Sequence, residues 1–186
     1  MVKILSFDVG IKNLAYCLVN FGEDDFKIED WDIIDITENL LDKNIKCSAI
    51  SRGKLCNKLA INYAVANEKN IGFCDNKKCQ SIAASTYSPK NLKKAKIIKL
   101  KDINLLDLTS EMIKKLRLKE NLLTADKVVI ENQPVLKNPT MKSIQMVLYT
   151  YFLIYGITAN TPVNNIALFN AGKKLDFYSG PKMELN

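Results

Sequence analysis

Residues 2–20 read VKILSFDVGIKNLAYCLVN. Ile4 to Phe7 is a short apolar run of strand type, and Asp8 ends it. The chain turns through Val9-Gly10-Ile11-Lys12-Asn13 and enters a second strand-like run at Leu14. Two such runs so close in sequence form a hairpin, with strands over 2–8 and 14–21. A carboxylate where a buried strand gives way to a Gly-containing turn stands at the rim of a sheet. Its backbone is fixed there, yet its oxygens can reach a ligand. Cys17, among apolar neighbours, reads as a small core residue.

Downstream, Gly22-Glu23-Asp24-Asp25 is a turn, and Phe26 to Ile36 alternates enough for a third antiparallel strand. After an insert, Asp102 to Glu120 has the spacing of an amphipathic helix, with Lys114, Lys115 and Arg117 complementing its dipole in the last turns. Lys127 to Glu131 (KVVIE) is a buried strand ended by Glu131, and Pro134 forces the chain out of the ladder. Thr140 to Gly156 is a helix apolar on nearly every side, hence buried on every side or covered by a second subunit. Asn164 to Phe169 is a fifth strand. Asp8 and Glu131 thus each end a strand. If the strands are parallel neighbours, the intervening helix supplying the crossover, both carboxylates meet at one sheet edge. Two convergent carboxylates suit magnesium; the alternative is two unrelated surface acids.

The chain has 186 residues and a net charge of +7. Residues 1–39 hold 3 basic and 9 acidic residues, residues 40–99 hold 13 and 3, and the rest hold 11 and 8. The positive charge therefore belongs to one middle segment. It reads either as a solvated surface or as a phosphate-binding face. The candidate contacts are Lys12, Arg52, Lys54, Lys58, Lys77 and Lys78, joined by Lys137 and Lys142 at the start of the second helix. The domain reading follows: a core of residues 1–39 and 100–186, and a basic insert of residues 40–99.

The insert carries Cys47, Cys56, Cys74 and Cys79, spaced C-x8-C-x17-C-x4-C. Two cysteine pairs, each closing a basic loop, read as a structural zinc site. Free thiols or disulfides are the alternatives. Metal binding would supply the folding energy of so small a knuckle. Tyr63, Phe73 and Tyr87 either stack on bases or pack it, and Asn91 to Lys96 reads as a basic linker. Histidine is absent from the sequence. That excludes a histidine general base, a Ser-His or Cys-His nucleophile and any histidine metal ligand. With no signal peptide and no span long enough for a bilayer, the expectation is a soluble intracellular protein without membrane contact.

Four stretches, FDVGIKNLAYCLV, VVIENQP, NPTMKSIQMVLYTYF and NAGKKL, together resemble the Holliday junction resolvases of poxviruses and other large DNA viruses. These are relatives of the RuvC-type and mitochondrial resolvases. The resemblance implies an RNase H-like α/β fold: a mixed sheet of three antiparallel then two parallel strands, flanked by helices. It implies a homodimer acting on branched DNA, a four-way junction, in recombination, replication and repair. It implies Mg2+- or Mn2+-dependent phosphodiester hydrolysis with Asp8 and Glu131 as catalytic metal ligands. Lys174 is similar to the basic residue placed near the scissile phosphate, with Lys173 competing for the role. Location in the host cytoplasm at a viral replication site, or in the nucleus, follows. The family also closes its site with a helix bearing an Asp-x-x-Asp pair. After Glu131 this chain has only Asp176 and Glu184, so it reads as lacking that helix and two of four ligands. Two other readings compete. One is a non-catalytic zinc-containing nucleic-acid binder. The other is an actin- or sugar-kinase-like ATPase lobe, suggested by Asp-x-Gly-x-x-Asn.

Overall fold

A computed structural model describes residues 1–136, 138–170 and 172. The chain forms two units, one built from Met1–Thr37 with the chain from Asn104 on, the other from Glu38–Ile103.

The first unit opens with β1 (Val2–Asp8), β2 (Leu14–Phe21) and β3 (Phe26–Ile34). Alternation sets the faces. Leu5 and Phe7 of β1 and Leu14, Tyr16 and Leu18 of β2 are buried. Cys17 lies on the opposite face and is only half-buried, not the core residue expected. A methyl group on Gly10 would lie 2.5 Å from the Asn13 carbonyl oxygen, so the β1–β2 turn closes only over glycine. β3 stops two residues short of the expected Ile36. Asp35 Oδ1 accepts from the Thr37 N–H at 2.8 Å and its hydroxyl at 2.7 Å, a local turn that competes with the ladder. Within β3 the register slips: Leu18 pairs with Asp30 and Val19 with Ile28, so Glu29 is an extra, bulged residue. The bulge puts Phe26 and Ile28 on the same face as Trp31 and Ile33. All four are exposed, Trp31 by 71%.

The second unit begins with α1 (Glu38–Leu41) and a two-residue-looped hairpin of β4 (Ile50–Ser51) and β5 (Lys54–Leu55). β6 (Asn62–Ala66), β7 (Lys69–Phe73), α2 (Lys77–Thr86) and β8 (Lys93–Lys94) follow, and the sheet order is β7-β6-β8. The expected basic linker at 91–96 is therefore partly a strand. Lys93 and Lys94 pair with Tyr63 and Asn62, and the Ala95 N–H bonds the Ile61 carbonyl. Phe73 is buried and its ring packs 5.9 Å from that of Tyr87, so these aromatics pack the unit rather than face out. The unit has a core of its own, of Cys47, Ala49, Phe73, Cys74, Cys79 and Ala83.

The chain then completes the first unit with α3 (Leu105–Arg117), β9 (Lys127–Asn132), α4 (Pro139–Phe152) and β10 (Asn165–Asn170). The expected helix from Asp102 is shortened at both ends. Leu100–Asp102 is a separate tight turn, and Asn104 caps α3 by accepting from the Asp107 N–H at 2.8 Å. At the other end Glu120–Thr124 is a 3-10 turn. Asn138 caps α4 through the Met141 N–H at 3.1 Å, with Pro139 in the first turn. α4 runs on into a π-helical turn at Leu153–Ile157. It is not buried all round: Ile154 is 50% exposed, and Met146, Leu153 and Tyr155 are exposed beside it.

The five strands lie in the order β10-β9-β1-β2-β3. β2 is antiparallel to β1 and β3, whereas β9 is parallel to both β1 and β10. α4 packs on β9 and brings Phe152 against Phe7 of the sheet, and α3 packs on α4. Leu108, Met112 and Leu116 of α3 and Ile144, Leu148 and Phe152 of α4 are buried. Phe7 sits between Tyr16 at 6.0 Å and Phe152 at 5.5 Å. The outcome is the mixed, helix-flanked sheet expected from the sequence. Among the described residues no helix is long and apolar enough to cross a membrane.

Candidate active site and metal centre

The parallel ladder between β1 and β9 runs from Ile4 opposite Lys127 to Phe7 opposite Ile130. Asp8 and Glu131 are the next residues on the two strands. In-register neighbours share a face, and adjacent strands lie about 4.8 Å apart. The two carboxylates therefore arise side by side at the same end of the sheet. Asp8 is exposed and Glu131 half-buried, so neither is sealed in the core. Adjacent hard oxygen donors at a solvent-reached edge suit a divalent cation that keeps part of its water.

Buried amides tie down the loops beyond the acids. The Gln133 N–H donates to Gln145 Oε1 at 2.8 Å, and its side-chain amide reaches the Val9 carbonyl at 3.5 Å. The exits of β1 and β9 are thus joined through one residue. Lys142 Nζ donates to Asn132 Oδ1 at 2.9 Å and to Gln145 Oε1 at 3.1 Å. Asn132 in turn donates to Asn170 of β10 at 2.9 Å. Gln145 is fully buried. Sequence reasoning passed over Gln133 and Gln145. The available signal was a glutamine inside the apolar pattern of α4, where a polar group survives only with partners.

The sequence model of the family described as mitochondrial resolvase Ydc2 / RNA splicing MRS1 matches residues 4–135, a span that holds both acids and Gln133. The chain belongs to this family. Uncharacterized protein L451 of Acanthamoeba polyphaga mimivirus is 27% identical over 224 aligned positions, covering 83% of this chain and 53% of the relative. The crystal structure of the yeast mitochondrial Holliday junction resolvase Ydc2 is similar with a TM-score of 0.46 and 15% identity, covering 94% of this chain and 55% of that one. The chain spans about half the length of both relatives.

In this family member the insert holds a second constellation. The sulfurs of Cys47, Cys56, Cys74 and Cys79 all lie within 4.8 Å of one another, and those of Cys56 and Cys74 are 3.7 Å apart. A tetrahedral zinc–thiolate centre with bonds of about 2.3 Å needs sulfurs about 3.8 Å apart. The β4–β5 hairpin explains the wide first spacing: it leaves after Cys47 and returns at Cys56, with the Cys56 N–H on the Ala49 carbonyl at 2.9 Å. Cys74 follows β7, and Cys79 stands in the first turn of α2, which Asn76 caps. The Lys58 N–H points at the Cys56 sulfur and holds that thiol below its usual value. Burial pushes Cys74 up, against an N–H from Asn76 that favours its thiolate. Burial and the neighbouring sulfurs push Cys79 up to about 12. Cys74 and Cys79 thus resist ionisation unless a cation sits beside them, and the spacing of the four sulfurs fits one.

The candidate phosphate contacts are dispersed. Lys12 is exposed in the turn after Asp8, and Arg52, Lys54, Lys58, Lys77 and Lys78 are exposed on the insert. Lys142 is half-buried in the amide network beside Glu131. Lys137, Lys173 and Lys174 lie outside the described residues. A surface cavity lined by Arg117, Glu120, Leu123, Tyr151 and Tyr155 lies toward the entry end of β9, away from the acids.

Proposed function

We propose that this chain carries the catalytic core of a metal-dependent endonuclease that cuts four-way DNA junctions. The observation that carries the reading is the in-register placement of Asp8 and Glu131 at the ends of parallel β1 and β9, in a member of a resolvase family. Asp8 and Glu131 would hold magnesium or manganese. The ion would supply an activated water and charge neutralisation at the phosphodiester. The residues' own task is positioning. Gln133 fixes the loop after β9 against Val9, so the two carboxylates keep one spacing. Lys142 keeps a positive charge next to the strand end. Lys174 is proposed to approach the scissile phosphate, with Lys137 and the exposed cations of the insert on the DNA backbone. Zinc is the proposed occupant of the four-cysteine centre. A homodimer is proposed because two symmetric nicks resolve a junction, with DNA recombination or repair as the setting.

The test is nicking of a labelled four-way junction in magnesium. Asp8→Asn and Glu131→Gln should each lower the rate about 100-fold or more, while junction binding stays within about threefold. Variants that nick like the parent would sink the reading. A second reading has one observation in its favour: the family description also names an RNA splicing protein. On that reading the chain binds structured nucleic acid without cutting it, and the parent protein itself would show no metal-dependent nicking.

A further inference from the structure

The β4–β5 hairpin is built to protrude. All six residues from Ile50 to Leu55 are exposed. Its two loop residues both have positive φ, Arg52 at 51° and Gly53 at 74°, the tight turn that two-residue hairpins favour. A glycine belongs there; an arginine pays conformational strain to stand at the tip. The hairpin base is fixed by the cysteine centre, since Cys47 and Cys56 flank it and the Cys56 N–H bonds the Ala49 carbonyl.

Its side chains are unusual for a solvated hairpin. Ile50 and Leu55 are directly paired and so share a face. They are 64% and 59% exposed, turned away from the core that Ala49 and Cys56 adjoin. A single exposed aliphatic residue needs no explanation. An opposed aliphatic pair on a hairpin rooted at the cysteine cluster, with Arg52 and Lys54 exposed in the same hairpin, does. From Lys43 to Asn67 the sequence has five basic residues and no acidic one. That charge fits a polyanion such as the nucleic-acid backbone and repels a basic protein face.

We infer that Ile50 and Leu55 form an apolar wedge that enters an opened base step of branched DNA, while Arg52 and Lys54 hold the flanking phosphates. This rests on the junction reading above. Aliphatic side chains inserted between bases must first unstack them. In continuous duplex that cost is met in full; at a branch point stacking is already interrupted. The wedge therefore adds preference for branched over linear DNA, whereas the cations add affinity for both.

The experiment uses the zinc-loaded full chain with a four-way junction carrying 2-aminopurine beside the branch point, and a matched linear duplex. The parent should raise 2-aminopurine fluorescence on the junction. Ile50→Ser with Leu55→Ser should abolish that rise and cost about tenfold in junction affinity, with duplex affinity changed less than about twofold. Ile50→Leu with Leu55→Met, which keeps the wedge apolar, should restore both. Zinc content and helical signal equal to the parent's show that the variants fold. A double serine variant that keeps the fluorescence rise and the preference overturns the wedge and leaves the junction reading standing. If the parent binds junction and duplex equally, the junction reading fails instead. A bulged duplex with 2-aminopurine then still decides the wedge, which is overturned by no Ile50- and Leu55-dependent rise.

Discussion

Lys3 and Asp126, 123 residues apart, hold each other twice. The Lys3 N–H donates to Asp126 Oδ2 at 2.7 Å, and the Asp126 N–H donates to the Lys3 carbonyl at 2.9 Å. The Asp126 carbonyl also accepts from Asn164, at the entry to β10. One residue thus sets the register of three parallel strands at their entry end. Because register is conserved along a ladder, it also sets which residues meet at the exit end. A slip of one residue would turn Glu131 to the other face from Asp8.

Asp126→Ala should therefore act at a distance. It removes the side-chain acceptor for a partly buried N–H, at about 1–3 kcal/mol. Thermal unfolding should show that loss. Hydrogen exchange should show faster opening of β1 and β9 than of the β2–β3 pair. A variant of unchanged stability would mean that side-chain packing alone fixes the register.

A second cluster joins the edge strand to the turn before β9. Lys119 Nζ donates to Asp32 at 2.8 Å and to the Tyr16 hydroxyl at 2.9 Å, and lies over the Tyr16 ring. Tyr16 and Asn121 donate to Asp30, each at 2.7 Å. The bonds to Asp32 and then Tyr16 hold the Lys119 ammonium well above the usual lysine range. The Lys119 hydrogen bond holds Asp32 below the usual carboxylate range. Burial opposes ionisation of Asp30, but the Tyr16 and Asn121 bonds outweigh it and lower this group too. The lysine's contribution is thus complete below about pH 10 and is lost as pH rises through its folded value. The aspartates contribute above about pH 4, and this is lost as pH falls through their lowered values. Lys119→Met should cost about 1 kcal/mol at pH 7, the half-exposed Asp32 limiting the effect. The gap from the parent in urea denaturation should narrow toward pH 3. A gap that stays constant down to pH 3 would assign the loss to packing.

The β6–β7 turn carries Asn67 at φ 49° and Glu68 at φ 62°. Such turns prefer Asn-Gly. A non-glycine residue in the left-handed region costs about 1–2 kcal/mol, against about 0.5–1 kcal/mol of chain entropy that glycine adds. Glu68→Gly should raise stability by about 0.5–1 kcal/mol on that balance. It also removes one of the three acids in residues 40–99. DNA affinity should rise with stability, and salt dependence should separate the two effects. A lower melting temperature would show that the Glu68 side chain makes a contact worth more than the strain.

β1, β2 and β9 were legible almost to the residue because each is a short apolar run closed by a turn or an acid. That Asp8 and Glu131 end their strands was legible, but that they are neighbours was only a condition, since two unrelated surface acids fit the sequence as well; the parallel β1–β9 ladder supplies it. Other features were not legible, for local reasons. Glu29 breaks the period of β3 without any residue type that marks a bulge. Asp35 ends the strand through a bond to Thr37 that propensity does not weigh. The hairpins of the insert are only two to five residues per strand around a core of cysteines and a few small or aromatic side chains, too short to leave a periodic trace. Gln145 was hidden by the greasy helix around it.

The cysteine centre is where sequence spacing and geometry meet most directly, and metal removal tests it. One zinc per chain should be found by elemental analysis. Cys56→Ser should weaken zinc retention, since water must replace a thiolate, and Cys74→Ser with Cys79→Ser, which leaves two thiolates, should abolish it. Structural zinc supplies folding free energy outright. Chelation should therefore strip amide protection from β6, β7 and α2, whose small core is built around the cysteines themselves. Leu5, Phe7, Val128 and Ile130 are buried in the first unit's sheet. Protection at β1 and β9 should therefore persist. Chelator-treated protein that keeps β6, β7 and α2 protected would mean that Phe73, Ala83 and Tyr87 suffice to hold the insert, and that the four thiols are only near neighbours.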